Sequence, residues 1–180
     1  LQSNDLEFAR GSNLQYRYFM ITFKGFETAQ KGQIADLLEE IYKTFYFKGN
    51  EFEDNKQYWK QLDARIFENL TRENDNGFVT YFNNELIGMC YWAKLNSENE
   101  IKLKDNGITE KFTGRGYGKM QIIEMIRRLQ KKNCAKIYVT TGDNDFYKPA
   151  QNMYLSCGFI EIKREEKYGN KLIHYEKTLI

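Results

Sequence analysis

One stretch, Ile108 to Asn133, limits the folds open to this 180-residue chain more than any other. It reads I-T-E-K-F-T-G-R-G-Y-G-K-M-Q and continues I-I-E-M-I-R-R-L-Q-K-K-N. The pattern passes from the end of a strand through Thr113-Gly114-Arg115-Gly116-Tyr117-Gly118 straight into a helix. Alternate glycines strip Cβ atoms from one side of the turn, so a ligand can approach the main chain closely. The helix start adds unpaired N–H groups and the positive end of its dipole. A phosphate or pyrophosphate is the natural occupant of such a corner. Arg115 and Lys119 place mobile positive charge beside it.

Two better-known phosphate loops are excluded by spacing. A Walker loop needs glycine where Thr113 stands and Ser or Thr where Met120 stands. A dinucleotide fingerprint starting at Gly114 needs glycine at Lys119. A flexible surface turn is the plain alternative.

The loop resembles that of the GNAT superfamily of acyl-CoA-dependent N-acyltransferases, which carries Gln/Arg-x-x-Gly-x-Gly/Ala between its fourth strand and third helix. Thr113 takes the Gln/Arg position, Gly116 and Gly118 are the two glycines, and Gly114 is a frequent extra. Ile108 and Phe112 fall where the family has Val and an aromatic, while Glu110 replaces a common proline. Downstream, Ala150-x-x-x-Tyr154-x-x-x-Gly158-Phe159 is similar to the superfamily's A-x-x-x-Y-x-x-x-G-F segment. The family's Asn before that alanine is Tyr147 here, and Asn144 is a substitute from a longer loop. The resemblance covers roughly Ile21 to Ile180. It implies a cofactor-binding set of Ile108, Thr109, Thr113, Gly114, Arg115, Gly116, Tyr117, Gly118, Lys119, Asn144 and Tyr147.

Composition narrows the class. Hydrophobic content of 41% with one proline fits an ordinary folded protein. A formal charge of +2 argues against nucleic-acid binding by bulk electrostatics. Cys90, Cys134 and Cys157 are widely spaced and accompany a single histidine, which speaks against a zinc site or a disulfide framework. No metal is expected. No run approaches the roughly 18 apolar residues of a membrane span, and no signal peptide is visible. A soluble, cytoplasmic protein without membrane or nucleic-acid partners is the expectation.

In chain order, residues 1–15 read as a frayed tail or an artificial leader, and residues 16–180 as one domain; Met20 is an alternative start. Tyr16 to Phe26 suits a first strand. Thr28 to Phe47 has Ile34, Leu37, Leu38, Ile41 and Phe45 at helical spacing. A second helix is expected over about Asn55 to Thr71, with Trp59, Leu62, Ile66 and Leu70 inward. Phe78 to Phe82 and Leu86 to Leu95 form a hairpin across Asn83-Asn84. A strand follows over about Glu100 to Ile108, and Asp105-Asn106-Gly107, three poor strand formers, predict a bulge in it. The helix after the glycines packs through Ile122, Ile123, Ile126 and Leu129, with Arg127, Arg128, Lys131 and Lys132 suiting its negative end. Ala135 to Thr141 should run parallel to the fourth strand. A short helix over Phe146 to Cys157 and a closing hairpin, Phe159 to Lys167 with Lys171 to Leu179, complete the chain.

This order, βααβββαβαββ, is the GNAT arrangement: an α/β (α+β) fold with a mixed, splayed sheet of about seven strands and four helices. The resemblance implies that the fourth strand bulges away from the fifth to admit the pantetheine arm of acetyl-CoA, the co-substrate. It further implies N-acetyl transfer to a primary amine of a small molecule or peptide. The helical pair would stand over the acceptor, with Tyr42, Tyr46, Phe47, Tyr58 and Trp59 either lining it or packing the core. The amine must be neutral to attack, and at pH 7 a Lys-like amine is protonated. Asp105 and Glu100 are the candidate proton acceptors. By analogy the Ile108 N–H would meet the carbonyl oxygen, and Tyr154 would protonate the departing thiolate. His174 reads as structural. A non-catalytic acyl-CoA-binding module and a basic-helix nucleic-acid binder are the alternatives, and a homodimer stays open.

Overall fold

The computed structural model describes residues 21–43, 51–95, 99–167 and 169–179, without the side chains of residues 51–54. Tyr46, Phe47, Tyr168 and the proposed turn at Ser97 lie outside the described residues.

A short first strand, β1 (Ile21–Lys24), runs into a 3-10 turn at Phe26–Thr28. The first helix, α1, spans Gln33–Tyr42, starting later than the apolar spacing predicts. Gly32 is the reason: its φ of 97° breaks the helical path before Gln33. The exposed N–H groups at that end are taken by a distant carboxylate. Asp63 accepts from Gly32 N–H at 2.9 Å and from Ile34 N–H at 3.1 Å. The cap therefore comes from α2 (Glu51–Glu68), which packs beside α1. Asn69, with φ −138° and ψ 45°, interrupts the second helix, and a single turn, α3 (Leu70–Glu73), resumes it.

β2 (Gly77–Phe82) and β3 (Glu85–Lys94) form the expected hairpin. Asn83 and Asn84 have φ of 49° and 64°, the left-handed pair that a tight two-residue link between twisted strands demands. β4 (Glu100–Ile108) continues the antiparallel ladder, and α4 (Tyr117–Gln130) crosses over to β5 (Lys136–Gly142). After α5 (Lys148–Ser156), β6 (Ile160–Lys167) and β7 (Asn170–Thr178) close the chain. The seven strands form one mixed sheet in the order β1-β2-β3-β4-β5-β7-β6. Only β4 and β5 run parallel.

Side chains alternate across this sheet and feed two cores. Phe78, Cys90, Trp92, Ile122, Met125, Leu129, Tyr154 and Phe159 pack on the α4–α5 side. Val79, Met89 and Tyr91 meet Ile34, Leu38, Trp59, Leu62 and Ile66 on the α1–α2 side. With both faces covered, the middle of β2 and β3 is buried throughout. Ile123, expected inward, is 46% exposed; the inner stripe of α4 is instead Tyr117, Gln121, Ile122, Met125 and Leu129. The basic residues on α4 are held locally. Arg127 and Arg128 pair with Glu124, Arg128 also lies over the Phe78 ring at 4.5 Å, and Lys132 pairs with Asp75. Among the described residues no helix is long and apolar enough to cross a membrane.

Candidate active site

The site begins with two strands that part. β4 pairs with β5 only from Glu100 to Lys102, against Lys136 to Tyr138. Beyond Lys102 the ladder with β3 slips by one residue: Tyr91 faces Asp105, but Trp92 faces Leu103, leaving Lys104 unmatched. That bulge sits at the edge of the predicted triplet, and it bends β4 off its neighbour. A cavity of about 600 Å³ fills the gap, bounded by the second half of β4, by Val139–Gly142 of β5, by α1 and α2 above and by α5 below.

The unpaired edge of β4 has a defined polarity. Thr109 N–H donates to Ile87 O on β3 at 2.8 Å. Antiparallel alternation then turns the N–H groups of Ile108 and Asn106 away from β3, toward the parted side. Thr109 is buried and its N–H is spent on β3, so it offers no main-chain donor to a ligand.

The glycine corner lies at the mouth of this gap. Gly114 and Gly116 have φ of 71° and 83°, and a Cβ on either would meet nothing within 4 Å. Gly116 caps α4, and the first N–H to bond back is that of Met120, to Gly116 O at 3.1 Å. The N–H groups of Tyr117, Gly118 and Lys119 thus have no carbonyl one turn earlier in the helix. Gly118 serves a different end: a Cβ there would lie 3.1 Å from Met153 Sδ, so it lets α5 approach α4. The Tyr117 side chain is buried against Phe82 and Phe112, leaving only its main chain for a ligand. Thr113 lines the cavity, but its N–H and hydroxyl both bond Glu110 O. Arg115 extends over Phe112 at 5.3 Å, and Lys119 is exposed beside the corner.

Two titratable groups of opposite character face the cavity. Asp105 is 7% exposed; burial pushes its carboxyl up to about 6, against smaller opposing effects from Lys104, a Tyr58 hydrogen bond and Arg65. Its Oδ2 is the one buried side-chain polar atom among the described residues without a hydrogen-bond partner. A buried acceptor left open toward a cavity points to a donor arriving with a ligand. Tyr154 is buried on the other wall, where desolvation raises its phenol well above the ordinary value while a hydrogen bond from Asn106 works the other way. It keeps its proton at pH 7.

Other candidates fall elsewhere. Glu100 sits at the start of β4, five residues or about 16 Å along the strand from Asp105, and does not line the cavity. Asn144 is exposed and uses its side chain to cap the 3-10 turn Asp145–Tyr147, accepting from Phe146 N–H at 3.1 Å. Tyr147 does line the cavity, its ring lying so close to Gly142 that a Cβ there would be 2.2 Å from it. Tyr42, Tyr58 and Trp59 line the opposite wall, Tyr42 and Trp59 stacked at 5.6 Å. His174 is held between Thr140 Oγ1 and Glu165 Oε1 at 3.1 and 2.9 Å, as a structural histidine would be. Burial drives the Cys90 thiol strongly upward, away from nucleophilic use.

Residues 34–159 match the model of the acetyltransferase (GNAT) family. The chain belongs to the GNAT acetyltransferase family. Comparison with curated proteins found no match. Among solved structures, this GNAT chain is similar to Ard1 from Thermoplasma volcanium, with 14% identity, TM-score 0.67, and 89% and 99% of the two chains covered. It is similar to the ribosomal-protein-S18-alanine N-acetyltransferase from Escherichia coli at 14% identity and TM-score 0.64, over 88% and 94%. It also resembles the PaiA N-acetyltransferase from Thermoplasma acidophilum in complex with coenzyme A, at 17% identity and TM-score 0.63, over 88% and 99%. At these identities the likeness concerns the fold, and the GNAT sheet with its parted strands is what they share with this chain.

Sequence reasoning missed Arg65, Gln121 and the pairing of Asn106 with Gln121. A glutamine on the apolar stripe of α4 was the one signal that could have revealed them.

Proposed function

We propose that this GNAT protein transfers an acetyl group from acetyl-CoA to a primary amine of a small molecule or peptide, by direct attack. The observation that carries this reading is the cavity between β4 and β5, with the open Asp105 Oδ2 on one wall and the Tyr154 hydroxyl on the other. The residues present fit the co-substrate: the open N–H groups after Gly116 suit a pyrophosphate, and the outward edge of β4 suits an extended amide chain. Acetyl-CoA bound there supplies a thioester carbonyl for the amine.

Each side chain then has a task. The unpartnered Asp105 oxygen receives an ammonium proton, which leaves a neutral nitrogen with a lone pair for attack. A carboxyl near 6 is mostly ionised at pH 7 yet basic enough to take that proton. The Ile108 N–H, directed into the gap, meets the negative charge that develops on the carbonyl oxygen. As the new C–N bond forms and the C–S bond breaks, the electron pair stays on sulfur. Tyr154 O–H gives its proton to that sulfur, leaving a phenolate beside Asn106. The proton held by Asp105 and the one missing from Tyr154 are restored through solvent, so the balance closes. The relatives named N-acetyltransferases support the choice of amine as acceptor.

The test is a panel of primary amines with acetyl-CoA, followed by release of free thiol. Amine-dependent release is expected; binding of acetyl-CoA without release by any amine would replace this reading with the non-catalytic acyl-CoA module.

A further inference from the structure

A chain of buried amides runs beneath the cavity. Gln121, fully buried on α4, donates from Nε2 to Met89 O and to Asn106 Oδ1, each at 2.7 Å. Its Oε1 accepts from Thr80 Oγ1 at 2.5 Å. A main-chain carbonyl can only accept, so Met89 O fixes which end of the Gln121 amide is nitrogen. Both hydrogens of that nitrogen are then assigned, one to Met89 and one to Asn106. The Asn106 atom facing Gln121 must therefore be its oxygen, since two amide nitrogens would oppose donor to donor. This leaves Asn106 Nδ2 as the group presented to the Tyr154 hydroxyl, whose hydrogen-bond partner is Asn106. Asn106 and Tyr154 both line the cavity.

We propose that Gln121 and Asn106 are positioning residues that set the polarity of the Tyr154 hydroxyl: its oxygen accepts from Asn106, and its own proton is turned into the cavity. The proposal rests on the reading of Tyr154 as the proton donor to sulfur and says what makes it one. A phenol is both donor and acceptor. Had its neighbour been an acceptor, the proton would be held in the wall and withheld from the cavity. An N–H aimed at the phenol oxygen also favours the phenolate left after transfer, opposing the burial that disfavours it. The amide chain begins on β2, crosses β3 and α4 and ends at α5, so the helix that starts at the glycine corner also orients the proton donor.

Two measurements test this. Neutron diffraction from deuterated crystals locates the Tyr154 deuteron directly; it should point into the cavity, and a deuteron on the line to Asn106 overturns the proposal. The second is Asn106→Asp, which swaps the donor for an acceptor at nearly constant size. With acetyl-CoA and the fastest amine of the panel, kcat should fall on the order of 10²-fold, while the calorimetric Kd for acetyl-CoA holds. In a Tyr154→Phe background the same substitution should cost little more, because the hydroxyl it misdirects is gone. An equal loss in both backgrounds would mark Asn106 as merely structural and sink the proposal. If Tyr154→Phe itself turns over at the wild-type rate, the acid role fails, and the deuteron map still decides the polarity.

Discussion

Arg65 Nη2 donates to the Tyr91 hydroxyl at 3.1 Å, and Tyr91 is the residue directly opposite Asp105 across the β3–β4 ladder. Arg65 also hydrogen-bonds Tyr58, which bonds Asp105. Tyr58 and Arg65 are seven residues apart on α2, two turns on one face, so they descend together onto the strand carrying the proposed base. The guanidinium is thus fixed where its charge favours an ionised Asp105.

Arg65→Met should accordingly raise the Asp105 pKa. The groups around that carboxyl are Lys104 on its own strand, Tyr58 and Arg65 on α2, Cys90 on β3 and Tyr154 on α5. Losing one of the two cations makes ionisation harder. The acidic limb of the kcat/KM profile, expected near pH 6, should move upward, with the plateau at pH 8 little changed.

Asp105→Asn should lower turnover by 10² to 10⁴-fold and stabilise the fold at the same time. A carboxyl whose folded pKa lies above its unfolded value gives stability below the unfolded value and loses it as pH rises through the folded one. For Asp105 that window runs from about 3.8 to about 6. The variant should match wild type near pH 3 and exceed it by about 2–3 kcal/mol at pH 8, as read by urea unfolding at both pH values.

Gly116→Val separates binding from folding. Its φ of 83° strains a β-branched residue by about 1–2 kcal/mol, but no atom lies within 4 Å of the new Cβ. Acetyl-CoA affinity should drop at least about tenfold by calorimetry. Gly169→Val, with φ 74° and equally open space, provides the control: comparable loss of stability, unchanged affinity.

Tyr91→Phe probes the other end of the network. The buried Glu73 accepts from Tyr91 at 2.8 Å and from Arg72 at 2.6 Å. Burial works to raise its pKa, but the bonds from Tyr91, Arg72 and Asn76 outweigh it, and the net shift is downward. A lowered carboxyl contributes stability above its unfolded pKa and loses it on acidification. The variant should therefore cost about 1–2 kcal/mol at pH 7 and progressively less below pH 4, measured by thermal unfolding.

Local chemistry made much of the fold readable. Two asparagines between alternating strands specify their own turn, and glycines before an amphipathic stretch specify a helix start. What sequence could not supply were the partners of buried polar groups. Asp63 caps a helix that begins 30 residues earlier, and Gln121 bonds residues 15, 32 and 41 positions away. Without those contacts α1 reads as starting at Thr28, and Gln121 as a surface residue. Ile123 fails for a related reason: α4 leans through Met125 and Gln121, so the inner stripe is rotated from the purely apolar one. Asp105 and Tyr154 were named in advance and both reach the cavity, while Glu100, equally acidic and on the same strand, lies beyond the point where β4 and β5 are still joined.

That join has a mechanical meaning. Three residues from each strand are all that rivet the β1–β4 half of the sheet to the β5–β7–β6 half. Past the rivet the molecule is a wedge whose facing rims already lack mates, so a slender guest bearing peptide-like groups displaces no strand on entering. The expense of separating the rims was met when the chain folded.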